Sequence, residues 1–414
     1  MLRFFYCPPA SPPVKPVPIP AQAPRSCAAL VRGAGPTGAL AALALHQAGW
    51  RVTLVDPSSR PQLLERSRAY AFTHSSRRLL QRLGLWDPIA PILHPFHQLD
   101  LEDPAARQGS RFGPADLRDR WAAAPDQAVG WIGEHTRLMK VLLNQLEGRP
   151  GLQLLLGTSP ADGRAAVAEQ EADWIIAADG ARSPTRDQLG IGVWQHIYRQ
   201  QCLTAQVRLR GAPATMAWER LRPEGPFALL PMGGDRFQVV WSAPAWRCRQ
   251  LESLAPAAFL DALAPVLPPG VDVERLEETP RAFPVGLLLA RHMHRKRTIL
   301  IGETAHRCHP VGGQGLNLCW RDVATLHSLA QSVQAGRMAS AQLGSSYARR
   351  RWADVGLTLL ITDSLVRLFS NRHPLLVPMR GLVLRQVDRI PLLRRGLLSA
   401  MSHGPCQVFR PAPM

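Results

Sequence analysis

The sequence has no long apolar run, no paired cysteines and almost no lysine, and each deficit removes a class of function. Its longest uncharged apolar stretches, such as AFPVGLLLA and VGLTLLIT, fall far short of the roughly 18 to 20 residues that a spanning helix needs. No transmembrane segment is expected. The seven cysteines, at positions 7, 27, 202, 248, 308, 319 and 406, include no CxxC pair, which argues against bound zinc and a disulfide framework and for a reducing compartment. The first 26 residues are rich in proline but lack the apolar core and cleavage site of a secretory signal. They read as a disordered leader, or as the product of a start codon assigned too far upstream.

Lysine occurs only at Lys15, Lys140 and Lys296, so the net charge of +18 is almost wholly arginine. From Arg281 onward, 19 basic residues face 5 acidic ones. A nucleic-acid binder could carry such a bias. The interleaving of arginine with leucine in LVRLF and RGLVLRQVDRIPLLRRGLL favours an anionic membrane surface instead, through Arg367, Arg372, Arg380, Arg385, Arg389, Arg394 and Arg395. The plainest alternative is a solvated basic face. The expectation is a cytoplasmic protein held peripherally at a membrane, with no nucleic-acid partner. At 414 residues, 46% of them hydrophobic, the chain has room for two or three domains.

CAALV is a short apolar strand, Gly33, Gly35 and Gly38 form GxGxxG, PTGALAALALHQAG suits a helix, and RVTLVD makes a second strand ending in Asp56. In this order the first glycine permits a tight turn, and the second lets a pyrophosphate approach the backbone. The third lets helix and strand pack closely, and the acid about 20 residues on accepts hydrogen bonds from a ribose. Arg32 breaks the pattern by taking the last strand position, where a buried apolar residue is usual. It must reach the surface or pair with an acid.

A second device of this kind lies far downstream. RTILIGETAHRCHPVGGQGLNLCWRD, Arg297–Asp322, reads as a buried strand, a glycine loop and a helix opening near Gly315. Unpaired amides at a helix N-terminus suit an anionic group. Between the two, ADWIIAADGARSPTR runs a strand into Asp179-Gly180, a context that favours cofactor contact over an ordinary turn. From about Ile197 to Val285, two-residue alternation and a GGD turn predict an antiparallel sheet, with Pro231, Met232 and Trp241 as candidate pocket-lining residues. His306 and His309 have no third ligand in view, so no metal is expected, and each is a possible general base.

GAGPTG, AADGARSPTR and IGETAHRCHPVGGQGLNLCWRDV together resemble the FAD-dependent aromatic hydroxylases of the para-hydroxybenzoate hydroxylase type. Within them, the chain resembles the ubiquinone-biosynthesis hydroxylases that act on polyprenylated phenols, of the 2-polyprenyl-6-methoxyphenol hydroxylase type. RAYAF, AWERLRPEGPFALLPMGGDRFQVVW, SLVRLFSNRHPLL and MRGLVLRQVDRIPLLRR agree with it, and it runs from about Cys27 to Gly404. The resemblance implies an α/β protein. A Rossmann-like FAD-binding domain would span 27–195 and 286–340, with an inserted antiparallel-sheet substrate domain over 196–285. A helical, basic C-terminus would follow over 341–414, and the leader would occupy 1–26.

The resemblance also implies that the two glycine devices hold the two halves of one FAD. Arg68, Asp179 and Gly180 would be cofactor contacts, and Gly302 and Glu303 the ribityl and phosphate contact, although Glu303 departs from the usual Asp or Asn. Pro310, Gly312, Gly313, Gln314, Gly315 and Asn317 would form the loop under the flavin ring. NAD(P)H, docking transiently, would reduce FAD, and O2 would then oxygenate an electron-rich phenol. No catalytic side chain is assigned. Two rival functions suit the same fold: reduction of an isoprenoid chain, and a catalytically silent assembly subunit at the membrane.

Overall fold

A computed structural model of the chain describes residues 26–65, 68–117, 128–159 and 162–407. The leader expected over 1–26 falls outside these, apart from Ser26. Consecutive apolar residues in AALV and TIL suit strands covered on both faces, and both become buried strands of a six-stranded sheet. Its order is β15 (His294–Arg295), β16 (Thr298–Leu300), β9 (Trp174–Ala177), β1 (Ala28–Arg32), β2 (Arg51–Asp56) and β8 (Leu152–Leu156). All neighbours pair in parallel except β15 with β16. Helices Pro36–Gln47 and Gln314–Gln334 pack against this sheet, burying Leu40, Leu45, Leu318 and Leu326 in the largest core cluster.

An eight-stranded sheet lies beside it, in the order β17 (His306–Arg307), β14 (Asp272–Ala290), β10 (Val193–Arg210), β13 (Arg236–Pro244), β12 (Gly225–Pro231), β11 (Met216–Arg222), β5 (Gln98–Asp103) and β6 (Gln108–Phe112). This sheet is wider than the 196–285 read from sequence. It takes β5 and β6 from the stretch assigned to the FAD-binding domain, and β10 and β14 overrun both expected ends. The reason is the β5–β11 pairing, which is parallel and joins Gln98 to Met216. Alternation within one segment carries no signal of so distant a partner. A small third sheet, β3 (Ala69–Phe72), β7 (Gly130–Glu134) and β4 (Leu93–Phe96), completes the strands.

Alternation also decides which face each strand residue serves. Trp241 packs with Phe227, Phe237 and Val239 in the cluster formed with helices Ala245–Glu252 and Pro256–Leu263, so it is core and not pocket wall. Met232 is buried in another cluster, and neither it nor Pro231 lines the cavity described below.

Helices Leu343–Phe369, Leu376–Arg389 and Pro391–His403 form the C-terminal region. Not all of its arginines face outward. Arg380 is fully buried, donating to Asp103 Oδ2 at 2.6 Å and to the carbonyls of Leu368, Phe369 and Asn371. Arg394 pairs with Asp116 and Arg367 with Asp363. An unpaired guanidinium in a core is costly, so Arg380 is held by an acid that the leucine-arginine pattern does not reveal, whereas the Arg367 pair lies on the surface. Arg372, Arg385, Arg389 and Arg395 remain exposed, beside exposed Leu375, Met379, Leu382, Val383, Ile390, Leu392 and Leu393.

Candidate active site

The three glycines of the first loop have three different surroundings. At Gly33, where φ is +101°, a Cβ would lie 2.4 Å from the Ala178 carbonyl oxygen, so only glycine lets the loop approach β9. At Gly38 a Cβ would lie 1.8 Å from the Gly33 oxygen, which fixes the close seating of the helix. At Gly35 a Cβ would meet nothing within 4 Å. Gly35 caps the Pro36 helix without a side-chain hydrogen bond, leaving its first amides for a ligand. Asp56 holds the loop: Oδ2 accepts from Ala34 N at 2.6 Å and Oδ1 from Ser58 N at 2.7 Å. Arg32 finds its acid in Glu169, at 2.5 Å, and also donates to Thr185.

The other two motifs meet this loop. Asp179 Oδ1 accepts from Ser183 Oγ at 2.5 Å and from Thr304 Oγ1 at 3.1 Å, while Oδ2 accepts from Thr185 N at 3.0 Å. Thr304 Oγ1 in turn accepts from Gly180 N at 3.0 Å. The Asp179 carboxylate thus braces the turn against the late motif. Gly302 lies so close to Thr37 that a Cβ would be 3.0 Å from its Cγ2. Gly312 and Gly313 both take left-handed φ, at 67° and 62°, and open the Gln314–Gln334 helix without a side-chain cap.

Asn317 is fully buried and saturated. Its Nδ2 donates to the carbonyls of Ala71 and Gly313, and its Oδ1 accepts from Thr73 N, Thr73 Oγ1 and Ser76 Oγ. Behind it, Asp322 accepts from Gly302 N at 2.8 Å, faces His306 Nε2 at 2.7 Å and accepts from Arg351 Nε at 2.6 Å. Arg351 also donates to Asp354, as does Arg321. Burial alone would raise the Asp322 carboxyl, but the charges of His306 and Arg351 hold it well below the usual carboxylate range. His306 is therefore a partner of this network. His309 is buried against the edge of Tyr198, its Nδ1 accepts from Val311 N, and burial pushes it down to about 4. Neither histidine lines the cavity.

That cavity, of about 660 Å³, connects the loops. Gly35, Arg68, Gly180, Glu303, Pro310, Gly312, Gly313, Gln314 and Gly315 stand on its wall, whereas Gly33, Gly38, Asp56, Asp179, Gly302 and Asn317 do not line it. Its far wall is the eight-stranded sheet, with Thr204, Ala228, Val240 and Glu219, and the Pro391 helix adds Leu398 and Met401.

The sequence profile described as FAD binding domain matches residues 26–153 and 157–356. The chain belongs to the FAD binding domain family. Within it, the chain is 31% identical to ubiquinone hydroxylase UbiL of Rhodospirillum rubrum, covering 93% of this chain and 91% of that protein. It is 30% identical to 3-demethoxyubiquinol 3-hydroxylase of Escherichia coli, covering 88% and 96%. Two solved structures share the fold. One is p-nitrophenol 4-monooxygenase PnpA from Pseudomonas putida, with a TM-score of 0.70, 18% identity, and 92% and 98% covered. The other is Klebsiella pneumoniae HpxO complexed with FAD and uric acid, with 0.69, 19%, and 92% and 98%. The protein is an FAD-dependent monooxygenase of the aromatic-ring hydroxylase type.

For a member of this family the wall offers what a long anionic cofactor requires. Two uncapped helix starts, an open approach at Gly35, the Arg68 guanidinium and the Glu303 carboxylate all face one space. Arg68 and Glu303 form no ion pair among the described residues. The residues missed from sequence are those on the sheet, above all Glu219, whose carboxyl is pushed up to about 8 by burial, against the lowering effect of a Gly312 amide bond. The signal was present: alternation in MAWERLR sets Ala217 and Glu219 on one face, but only the pairing with its neighbours shows that this face is the pocket.

Proposed function

We propose that this protein hydroxylates the aromatic ring of a polyprenylated phenol in quinone biosynthesis, using FAD, NAD(P)H and O2. The observation that carries it is the convergence of three motifs, spread from Gly33 to Asn317, around one cavity whose far wall is mostly apolar. The pyrophosphate would lie at Gly35 and the start of the Pro36 helix. Asp56, which keeps unused lone pairs, would accept from the adenosine ribose. Glu303 would accept from the ribityl chain, Arg68 and Gly180 would border it, and Pro310–Gly315 would lie under the ring. Gly33, Gly38, Asp179, Gly302 and Asn317 would act by holding these groups in place. When bound, the flavin would supply two-electron chemistry between the nicotinamide donor and O2. Overall, a ring C–H, O2, NAD(P)H and a proton would give a ring C–OH, water and NAD(P)+. The chain's own part is to orient the ring and exclude water.

FAD-loaded protein given 2-geranylphenol should consume O2 and NAD(P)H together and incorporate one atom of labelled O2 into the phenol. Isoprenoid reduction without O2 uptake would favour the reductase reading. A protein that stays colourless after incubation with FAD would favour the silent subunit.

The substrate's tail bears on location. Among the described residues no helix is long and apolar enough to cross a membrane. The Leu376 helix carries Met379, Leu382 and Val383 outward, and the Pro391 helix exposes Leu392 and Leu393 while lending Leu398 and Met401 to the cavity. Peripheral docking on the cytoplasmic leaflet through this face would bring an isoprenoid tail to the pocket. Each basic residue near an anionic surface adds up to about 1 kcal/mol, screened by salt, and apolar insertion adds a salt-resistant part. Binding to anionic phosphatidylserine vesicles should therefore weaken but persist at high salt. Replacing Arg372, Arg385, Arg389 and Arg395 with glutamine should reduce it by roughly tenfold or more, with FAD retained. No vesicle binding at low salt, or displacement by DNA, would sink this docking mode.

A further inference from the structure

We propose that Glu219 is a catalytic residue that takes, and later returns, the proton of the substrate's phenol hydroxyl; this rests on the hydroxylase reading above. Strand register carries the placement. Arg281 pairs with Thr204, Thr204 with Val240, Val240 with Ala228, and Ala228 with Glu219. This row of five crosses the sheet, and every member lines the cavity. Glu219 closes the row as a buried carboxyl next to Ala228, with Ala217 and Leu230 in the same wall. It has no ion pair among the described residues. Gly312, Gly313 and Gln314 line the same cavity as Glu219, so the carboxyl shares that space with the loop assigned to the flavin ring.

A carboxyl held in an apolar wall without a cation costs several kcal/mol if ionised and unsatisfied, and a hydrophobic residue would fill the position better. Its surroundings suit proton exchange. Arg281 on β14, Arg307 on β17, Arg68 before β3 and Glu303 share the cavity, yet none pairs with Glu219. Burial pushes the Cys308 thiol up to about 12 and raises Cys319 as well, so neither thiol competes as a base near neutrality. Glu219, raised to about 8, is poised near the working range of a general base.

The step balances within the overall reaction proposed above. As the ring carbon forms its bond to the oxygen atom derived from O2, electron density leaves the phenol oxygen and its O–H proton passes to the Glu219 carboxylate, giving a dienone. The hydrogen on the attacked carbon then leaves to water as a proton. Glu219 returns its proton to the ketone oxygen as the aromatic ring is restored. No oxidant beyond O2 and NAD(P)H is needed.

The test uses FAD-loaded full-length protein, 2-geranylphenol and its methyl ether, which has no hydroxyl proton. Glu219→Gln should keep full flavin content and thermal midpoint while kcat for the phenol falls about a hundredfold, with KM little changed. The rising limb of the wild-type pH profile, centred near 8, should vanish in Glu219→Gln and survive at a lower rate in Glu219→Asp. By calorimetry, wild type should bind the phenol more tightly than the ether, and Glu219→Leu should lose that preference. Hydroxylation by Glu219→Gln at the wild-type rate with the limb intact would overturn the assignment and leave the hydroxylase reading standing. Wild type that hydroxylates no phenol would overturn both.

Discussion

Gly35→Val should fold normally and come off the column colourless. A Cβ at this position meets no protein atom within 4 Å, so the apoprotein has room for it. The space it enters is the one assigned to the pyrophosphate, where a branched side chain cannot be moved aside without moving the helix start. The expected loss in FAD affinity is on the order of a hundredfold or more, about 3 kcal/mol, read as flavin per protein after dialysis. Gly38→Ala should fail differently. Its Cβ would sit 1.8 Å from the Gly33 oxygen, so the loop and helix must separate and the apoprotein itself should lose stability. If both variants keep stoichiometric FAD, the loop does not hold the cofactor.

Arg351→Met should have the largest effect on stability, about 3 to 5 kcal/mol, because it removes the guanidinium shared by two buried carboxylates, leaving Asp322 with His306 and Asp354 with Arg321. Arg351 donates to both Asp322 and Asp354, and Asp322 in turn holds the Gly302 amide. Denaturant melts should show the loss, and adding Asp322→Asn should recover part of it, since the pair is then removed together. The pH dependence follows from the direction of the Asp322 shift. Its folded value lies below the unfolded one, so its contribution is fully present above about pH 4 and is lost as pH falls toward the folded value. Arg351→Met raises the folded value, and acid unfolding should begin at a higher pH. Unchanged melts and acid unfolding would show that the network is dispensable.

Local signals in the sequence reached the cofactor side well. GAGPTG and RVTLVD lie in one short segment, and the tight approaches they imply appear at Gly33, against Ala178, and at Gly38, against Gly33, while Gly35 has open space beside it. Arg32 was legible as a residue in need of an acid, but Glu169 was not, since it comes from a helix 137 residues away. Asp179 and Asn317 show a second limit. Residue type and position marked them as important, yet both spend their polar atoms on the protein itself. Sequence cannot separate a group that touches a ligand from one that holds the group that does. The substrate side was the least legible, because its wall is a row across five strands, and the row exists only once the register is set.

The parallel pairing of Gln98–Asp103 with Met216–Arg222 also sets a timetable on the ribosome. At roughly 5 to 20 residues per second, the earlier strand waits on the order of ten seconds before its partner is made. The six-stranded sheet waits longer, because Thr298–Leu300 must still arrive beside Trp174–Ala177. Throughout, unpaired apolar strand edges are open to other nascent chains, the condition under which aggregation competes with folding. Chaperones in excess during synthesis are therefore the route to soluble protein, and shortened versions ending before the later strands would keep those edges bare.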